Sequence, residues 1–171
     1  MTVAIDDYRE LVNTGWPAEG HGLLGELAVG RGRYALITAS SQDESDALIE
    51  RISSDLSLQV ARIGSLFADG ECPPTVEQIA AVCVDAAILA DLDLLFWPDL
   101  RLDPLAFVAD RSRRSLTIAA WPGAVSGGRA TYSAPGRPDY YDGRLGDCLL
   151  LKPRTRRYPD EVPFVIERIA R

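Results

Sequence analysis

The stretch RYALITASSQDESDALIERISSDL (residues 33–56) decides the fold of this 171-residue chain. Its first part, residues 33–39, is largely apolar and short enough for a buried strand. A polar run ends the strand, and between Asp43 and Leu56 the apolar residues recur at helical spacing. Asp43 and Glu44 suit the first helical turn, where the helix dipole favours negative charge by about 0.3–1 kcal/mol. The stretch predicts a strand, a polar loop and a helix, in that order.

The same alternation of strands and helices continues along the chain. Thr75 is expected to cap a helix that ends at Val82, and Asp103 is expected to cap a helix over 104–113. Further strands are predicted at 58–63, 86–91, 115–121 and 147–152. Strands that alternate with helices imply βαβ crossovers. The fold class is therefore α/β, with a mainly parallel sheet that helices cover on both faces.

Less regular segments surround this core. Residues 1–32 are expected to form an N-terminal helical appendage, with a helix over 4–13, and residues 33–171 a single α/β domain. A hairpin is predicted at 126–128 because two glycines follow Ser126. An irregular loop is expected over 135–147 and a C-terminal helix over 161–170.

The charge balance and the apolar pattern exclude several classes of protein. The chain carries 18 basic and 25 acidic side chains, a net charge of −7, whereas proteins that hold nucleic acid by bulk electrostatics carry a basic excess. The start MTVAIDDYRE lacks the basic and apolar regions of a secretory leader, and residues 79–97 are too charged to span a bilayer. The 3 cysteines form no CxxC pair and have no histidine partners at ligand spacing. We therefore expect a cytoplasmic protein without membrane contact, cofactor or metal ion.

The polar loop after the first strand stands where P-loop proteins bind phosphate. A Walker A loop reads GxxxxGK[ST], and the corresponding residues are Thr38, Ala39, Ser40, Ser41, Gln42, Asp43, Glu44 and Ser45. Asp43 stands at the second glycine and Glu44 at the lysine, while the single lysine of the chain is the distant Lys152. A carboxylate about 4 Å from a phosphate costs on the order of 4 kcal/mol at an effective dielectric near 20. The sequence therefore predicts a degenerate nucleotide loop.

The predicted strand at 86–91 carries a second half of the same pattern. Apolar residues 87–90 lead to Asp91, as they lead to the Mg²⁺-binding aspartate of a Walker B strand. The next residue is Leu92 rather than a water-activating glutamate, and Asp93 is expected to point to the other side of a continuing strand. Aspartate at a strand end is common without function, so only the order of the two elements along the chain indicates a P-loop-like core.

Longer stretches of the chain resemble a known family. The runs AAILADLDLLFWPDLRLDPLAFVADRSRRSLTIAAWPG (86–123), RATYSAPGRPDYY (129–141) and DCLLLK (147–152) resemble the BrxF proteins of BREX phage-defence systems, small proteins of the P-loop NTPase type. The resemblance spans residues 33–152. It implies a RecA/AAA-like core with strand order 5-1-4-3-2, and a role beside a larger ATPase, a methyltransferase and a phosphatase-like protein. The departure at 38–45 puts ATP binding and hydrolysis in doubt.

The leading hypothesis is a non-catalytic, P-loop-like accessory subunit of a bacterial antiphage complex that acts through protein contacts. No residue is assigned a catalytic role. Aromatic and arginine side chains are enriched at interface hot spots, and such residues in predicted loops are the contact candidates. They are Trp97, Arg101, Arg137, Tyr140 and Tyr141.

Two alternatives stay open at this point. An NTPase with an atypical phosphate loop would use ATP and Mg²⁺ at the same loop and aspartate. A DNA-contacting adaptor would touch phosphates through a local arginine patch, for which the candidates are Arg111, Arg113, Arg114, Arg154, Arg156 and Arg157. The first three of these arginines also suit a helix end, where cations favour the negative pole of the dipole.

Overall fold

A six-stranded sheet forms the centre of the fold. The structure, a computed structural model, describes residues 25, 27, 33–67, 73–154 and 164–169. Its strands are β1 (Tyr34–Ile37), β2 (Val60–Arg62), β3 (Ile88–Ala90), β4 (Ile118–Ala120), β5 (Ala124–Ser126), β6 (Arg129–Tyr132), β7 (Tyr141–Arg144), β8 (Cys148–Pro153) and β9 (Phe164–Ile169). The large sheet has the order β2-β3-β4-β1-β8-β9, in which β9 is antiparallel to β8 and the other neighbours are parallel.

The helices between these strands begin and end within one residue of the predicted positions. They are α1 (Gln42–Leu56), α2 (Val76–Cys83) and α3 (Pro104–Ser112). Each begins after a residue whose side chain accepts a hydrogen bond from a first-turn amide: Ser41, Thr75 and Asp103. Such caps satisfy amides that have no partner inside the helix. Short 3₁₀ turns follow β2 and β3, at Ile63–Phe67, Leu92–Phe96 and Pro98–Leu100.

Helices cover both faces of the large sheet. Successive strand side chains point to opposite faces, so Ala35 and Ile37 belong to one apolar cluster and Tyr34 and Leu36 to the other. The inner face of α1 joins the first cluster through Leu48, Ile49, Ile52 and Leu56. The inner faces of α2 and α3 join the second through Ile79, Cys83, Leu105 and Val108. The expectation of a mixed α/β fold with a largely parallel sheet is confirmed.

The C-terminal helix expected over 161–170 is wrong for residues 164–169, which form β9. Phe164 is buried and its neighbour Val165 is exposed, which is the alternation of a strand rather than the spacing of a helix. The strand pairs with β8 in a register that sets Ile166 opposite Leu151. The segment is short, and pairing with β8 stabilises it more than helix formation would. The pairing buries Phe164 in the apolar cluster that α1 also joins.

A second sheet of three antiparallel strands, β5-β6-β7, follows β4. The hairpin predicted at 126–128 is confirmed, and Gly127 and Gly128 have φ of 56° and 73°, as a type I′ turn requires. The irregular loop expected over 135–147 is wrong at Tyr141–Arg144, which pair with β6 as β7. The signal for β7 is weak because Gly143 interrupts the strand and three of its four residues are polar or glycine.

The N-terminal appendage expected at 1–32, including the helix at 4–13, lies outside the described residues apart from Gly25 and Leu27. Both of these residues are helical, and Leu27 is buried in the cluster that α1 joins. Within the described ranges, no helix has the length and apolar character needed to cross a membrane.

The cap of α2 gives a first testable prediction. Thr75 Oγ1 accepts a hydrogen bond from the Gln78 amide at 3.3 Å, and Gln78 Oε1 accepts one from the Thr75 amide at 2.8 Å. Thr75→Ala removes the first bond and is expected to lower the free energy of unfolding by about 1 kcal/mol. Thr75→Ser keeps the hydroxyl and is the control. Urea denaturation measures both, and equal stability of the two variants would contradict the role of the cap.

Candidate functional site

A polar cavity lies where the carboxyl ends of β1, β3 and β4 meet. Its volume is about 310 Å³, and it is lined by Ala39, Ser40, Ser41, Gln42, Ser45, Asp91, Leu92, Asp93, Ala120, Trp121 and Pro122. Open α/β sheets bind their ligands outside the carboxyl ends of the strands, which makes this cavity the candidate site. The loop after β1 and the aspartate after β3, predicted separately from sequence, are therefore neighbours in space.

The loop predicted at 38–45 contributes five of its eight residues to the cavity wall. Ser45 is the most enclosed of them, with 7% of its surface exposed. Thr38, Asp43 and Glu44 are not part of the wall. The Thr38 amide instead continues the sheet by donating to Leu151 O at 3.0 Å, and the Thr38 hydroxyl is buried without a hydrogen-bond partner among the described residues.

The Glu44 side chain folds back onto the loop that precedes α1. Its Oε2 accepts a hydrogen bond from the Ser40 amide at 3.0 Å, while the Glu44 amide donates to Ser41 Oγ at 3.2 Å. The two bonds together satisfy amides at the start of α1 in the manner of a capping box, with the carboxylate reaching one residue further back. A carboxylate of the protein itself thus accepts the hydrogen bond of a loop amide.

Asp91 is held by a basic side chain from the neighbouring strand. Arg62, the last residue of β2, lies 2.9 Å from Asp46 Oδ1 and 3.6 Å from Asp91 Oδ1. The pKa of Arg62 is raised, chiefly by its hydrogen bond to Asp46 and further by the charges of Asp46 and Asp91. Asp91 and Asp46 therefore share one guanidinium, which lies closer to Asp46.

Backbone geometry also fixes the Asp91 carboxylate. Asp91 has φ of 59° and ψ of 43°, the left-handed region that non-glycine residues rarely adopt. A Cβ placed on Gly64 would lie 2.8 Å from Asp91 Oδ2, so the glycine makes room for the carboxylate. A strained backbone conformation of this kind persists only where the surrounding contacts hold the residue in it.

Asp93 lies on the same side as Asp91, contrary to the expectation that it points away. The strand ends at Ala90, and the 3₁₀ turn Leu92–Phe96 brings Asp93 to the cavity wall. Desolvation raises the pKa of Asp93, and the charge of Asp91 raises it further. The cavity wall therefore contains two carboxylates, and among the described residues only Asp91 forms an ion pair with a basic side chain.

Sequence reasoning missed the parts played by Arg62 and Glu44. The pattern Ser-x-x-Glu at 41–44 is the signature of a capping box and predicts that Glu44 turns back toward the loop. Arg62 ends the strand that pairs with β3, opposite Ala90, so its closeness to Asp91 follows from adding the strand order to the sequence. The first signal was readable in the sequence, whereas the second required the sheet topology.

The five contact candidates differ in what they do. Trp97 and Tyr140 are exposed by 40% and 39%, and Trp97 stacks on Phe67 with ring centroids 5.8 Å apart. Arg137 lies 3.2 Å from Asp139, and Arg101 is exposed in a left-handed turn with φ of 48°. The Tyr140 amide donates a hydrogen bond to Arg137 O at 3.1 Å, so these two candidates belong to one turn.

Tyr141 contributes to packing rather than to a free surface. Its hydroxyl donates to Asp103 Oδ1 at 2.8 Å, and its ring contacts those of Phe96 and Trp121 at centroid distances of 5.5 and 5.9 Å. Burial and the bond to Asp103 raise the pKa of Tyr141. The Phe96 ring also stacks on the Tyr132 ring, with the centroids 4.0 Å apart. This aromatic cluster therefore packs the small sheet against the turn beside the candidate cavity.

The arginines considered for DNA contact have structural roles in part. Arg111 donates to the Val84 and Ala86 carbonyls beyond the end of α2, and Arg113 lies 3.5 Å from Asp110. Arg154 is described, whereas Arg156 and Arg157 lie outside the described residues.

The described thiols are packed as small apolar groups. Cys83 and Cys148 are buried, and burial raises the pKa of both thiols, to about 12 for Cys148. Such thiols are poor nucleophiles, since the thiolate is the reactive form. In the same part of the chain, no group of three or more His, Cys, Asp or Glu residues is placed to hold a metal ion.

Comparisons of the chain with protein-family models, with curated proteins and with solved structures gave no match.

Proposed function

We propose that this chain is a non-catalytic, P-loop-like accessory subunit of a bacterial antiphage complex of the BREX type, which works in the cytoplasm through protein contacts. The observation that carries the proposal is that partners from the chain itself satisfy both ionic positions of the nucleotide site. Glu44 accepts a hydrogen bond from a loop amide where a phosphate would bind, and the Arg62 guanidinium, which Asp46 shares, lies 3.6 Å from Asp91, where a metal ion would bind.

The strand order supports a P-loop-like core. The parallel strands along the chain are β1, β2, β3, β4 and β8, with the antiparallel small sheet inserted before β8. We number these five strands 1 to 5 in the order in which they occur along the chain. Read across the sheet from β8, their order is then 5-1-4-3-2. The resemblance to BrxF proteins implies the order 5-1-4-3-2 for the core, and this arrangement of the parallel strands supports that part of the proposal, with β9 as a sixth strand beside β8.

The occupied loop amide opposes nucleotide binding. A phosphate at the loop would have to displace the Glu44 carboxylate from the Ser40 amide, at present 3.0 Å away. It would then lie near the displaced Glu44 carboxylate, and one like-charge pair about 4 Å apart costs on the order of 4 kcal/mol at an effective dielectric near 20. No lysine compensates, because Lys152 is on β8 and pairs with Glu167.

The occupied aspartate opposes metal binding in the same way. A divalent cation at Asp91 would share the carboxylate with the Arg62 guanidinium, 3.6 Å away. Arg62 is also held by Asp46 from α1, which fixes it between the two carboxylates. Protein contact remains as the function that the exposed rings of Trp97 and Tyr140 support, since aromatic side chains are enriched at hot spots.

A binding and a copurification experiment test the proposal together. In isothermal titration calorimetry, the full chain is expected to show no binding of Mg-ATP at 1 mM. A Kd above about 1 mM corresponds to a binding free energy weaker than about 4 kcal/mol. Micromolar binding that Asp91→Ala abolishes would overturn the claim of an inert site, as would ATP turnover by the isolated chain.

In its native host, the tagged chain is expected to copurify with the proteins encoded beside it. Trp97→Glu combined with Tyr140→Glu is expected to reduce their recovery at least tenfold, because charge replaces two exposed rings. Glu50→Ala, exposed on α1, is the matched control and should leave recovery unchanged. Copurification of none of these proteins with the unmodified chain would contradict the proposal.

A further inference from the structure

A second cavity lies between α2 and α3, on the face of the sheet opposite α1. Its volume is about 460 Å³, and it shares no lining residue with the cavity beside Asp91. We call it the α2–α3 cavity. Apolar side chains of Val84, Leu102 and Phe107 form much of its wall, together with Ala80 and Ala106. Val84 is 55% exposed, so a substantial part of this apolar wall faces solvent.

The charged groups of the α2–α3 cavity are unequally partnered. Of its two carboxylates, Asp103 accepts hydrogen bonds from the Ala106 amide and the Tyr141 hydroxyl, and Asp110 lies 3.5 Å from Arg113. Of its two guanidiniums, Arg114 has no side-chain hydrogen bond or ion pair within the described ranges. The two arginines and two aspartates of the wall balance in formal charge, and among the described residues Arg114 is the charged group of the wall that is left without a partner.

Arg111 is the deeper of the two basic side chains. One of its terminal nitrogens donates to the carbonyls of Val84 and Ala86, while its Nε is buried with no acceptor among the described residues. Desolvation lowers the pKa of Arg111, and this effect outweighs the opposing influence of Asp85. The backbone contacts hold the Arg111 guanidinium at the wall as a fixed positive charge, and the partnerless Arg114 adds a donor that can form a charge-assisted hydrogen bond with an anion.

We propose that the α2–α3 cavity binds a small amphipathic monoanion, an aliphatic or aromatic carboxylic acid. Its carboxylate lies beside Arg111 and Arg114, and its apolar body packs against Val84, Leu102 and Phe107. The volume falls within the range of about 300–1,000 Å³ that is typical of small-molecule sites, as does the combination of apolar walls with few polar groups. This activity is independent of the proposed role in a defence complex, which concerns other surfaces.

Three probes of one shape test the charge preference of the cavity. They are 4-phenylbutyrate, 4-phenyl-1-butanol and 4-phenylbutylamine, titrated into the full chain by isothermal titration calorimetry. We expect the carboxylate to bind at least tenfold more tightly than the alcohol, and the amine to bind most weakly, because one charge-assisted bond is worth roughly that factor. Equal affinities, or no binding of 4-phenylbutyrate at millimolar concentration, would overturn the proposal.

Variants locate the site. Arg114→Gln is expected to weaken 4-phenylbutyrate binding roughly tenfold and to leave the alcohol unaffected. Ala106→Trp fills the cavity and is expected to abolish binding of both probes. Arg144→Gln is the matched control, since Arg144 is exposed on β7 and does not line the cavity. Unchanged carboxylate affinity in both Arg114→Gln and Ala106→Trp, with thermal melting like that of the unmodified chain, would place binding elsewhere and overturn the proposal.

Discussion

A Gly123→Ala variant is expected to lose at least about 3 kcal/mol of folding free energy, the range of severe overpacking and backbone strain. A Cβ at this position would lie 1.8 Å from Thr131 O and 2.8 Å from Thr131 C. These are backbone atoms of β6, so no rotamer change relieves the collision. The same carbonyl accepts a hydrogen bond from Trp121 Nε1 at 3.1 Å, which further restricts its movement. The small sheet would have to move away from the end of β4.

Gly128→Ala is the matched control for this prediction. Gly128 has φ of 73°, but a Cβ there meets no atom within 4 Å, so backbone strain alone is expected to cost about 1–2 kcal/mol. Urea denaturation followed by tryptophan fluorescence measures both variants. Equal losses in the two variants would mean that the approach of Gly123 to Thr131 does not hold the small sheet in place.

The double variant Asp43→Gly with Glu44→Lys is expected to bind Mg-ATP at least about 100-fold more tightly than the unmodified chain, a change of about 2.7 kcal/mol. The substitutions create the Gly-Lys-Ser run of a phosphate loop, which ends at the native Ser45. They also free the Ser40 amide, which Glu44 occupies at 3.0 Å, and they replace two negative charges near the phosphates by one positive charge.

A neutral variant separates the two causes. Asp43→Asn with Glu44→Gln removes the negative charges without supplying a cation, so its affinity for Mg-ATP is expected to lie between those of the other two chains. Calorimetry measures binding, and a thermal melt checks that α1 is intact after loss of the Glu44 cap. If the lysine variant folds and gains no affinity, the loop after β1 does not face a phosphate site, and the P-loop interpretation fails.

Much of the central fold was predictable because its signals are local. The strand at Tyr34–Ile37 is a buried apolar run, and Ser41, Thr75 and Asp103 act as caps whose chemistry depends on adjacent residues alone. The segment at 164–169 was predicted wrongly because its state depends on β8, a strand that lies beside it in space. The spacing of FVIERI suits a helix or an edge strand, and only pairing decides between them.

The candidate site was predicted in part for the same reason. The loop at 38–45 and Asp91 follow apolar strands, so their meeting at one edge of a parallel sheet follows from the fold class. The pairing of Arg62 with Asp46 and Asp91 joins three elements and depends on the order of strands. Asp93 was placed on the wrong side because β3 ends at Ala90, and the turn after it changes the direction of the side chains.

The pairing of Lys152 with Glu167 has a practical consequence for finding the neighbours of this protein. Lys152 is the only lysine in the sequence, and its half-exposed side chain lies on β8 beside β9. An amine-reactive crosslinker therefore has a single lysine to modify in each copy, at one known position next to the edge strand β9. A partner captured through that residue must lie within the length of the linker from β8, so mass spectrometry of the linked peptides would orient the partner as well as identify it.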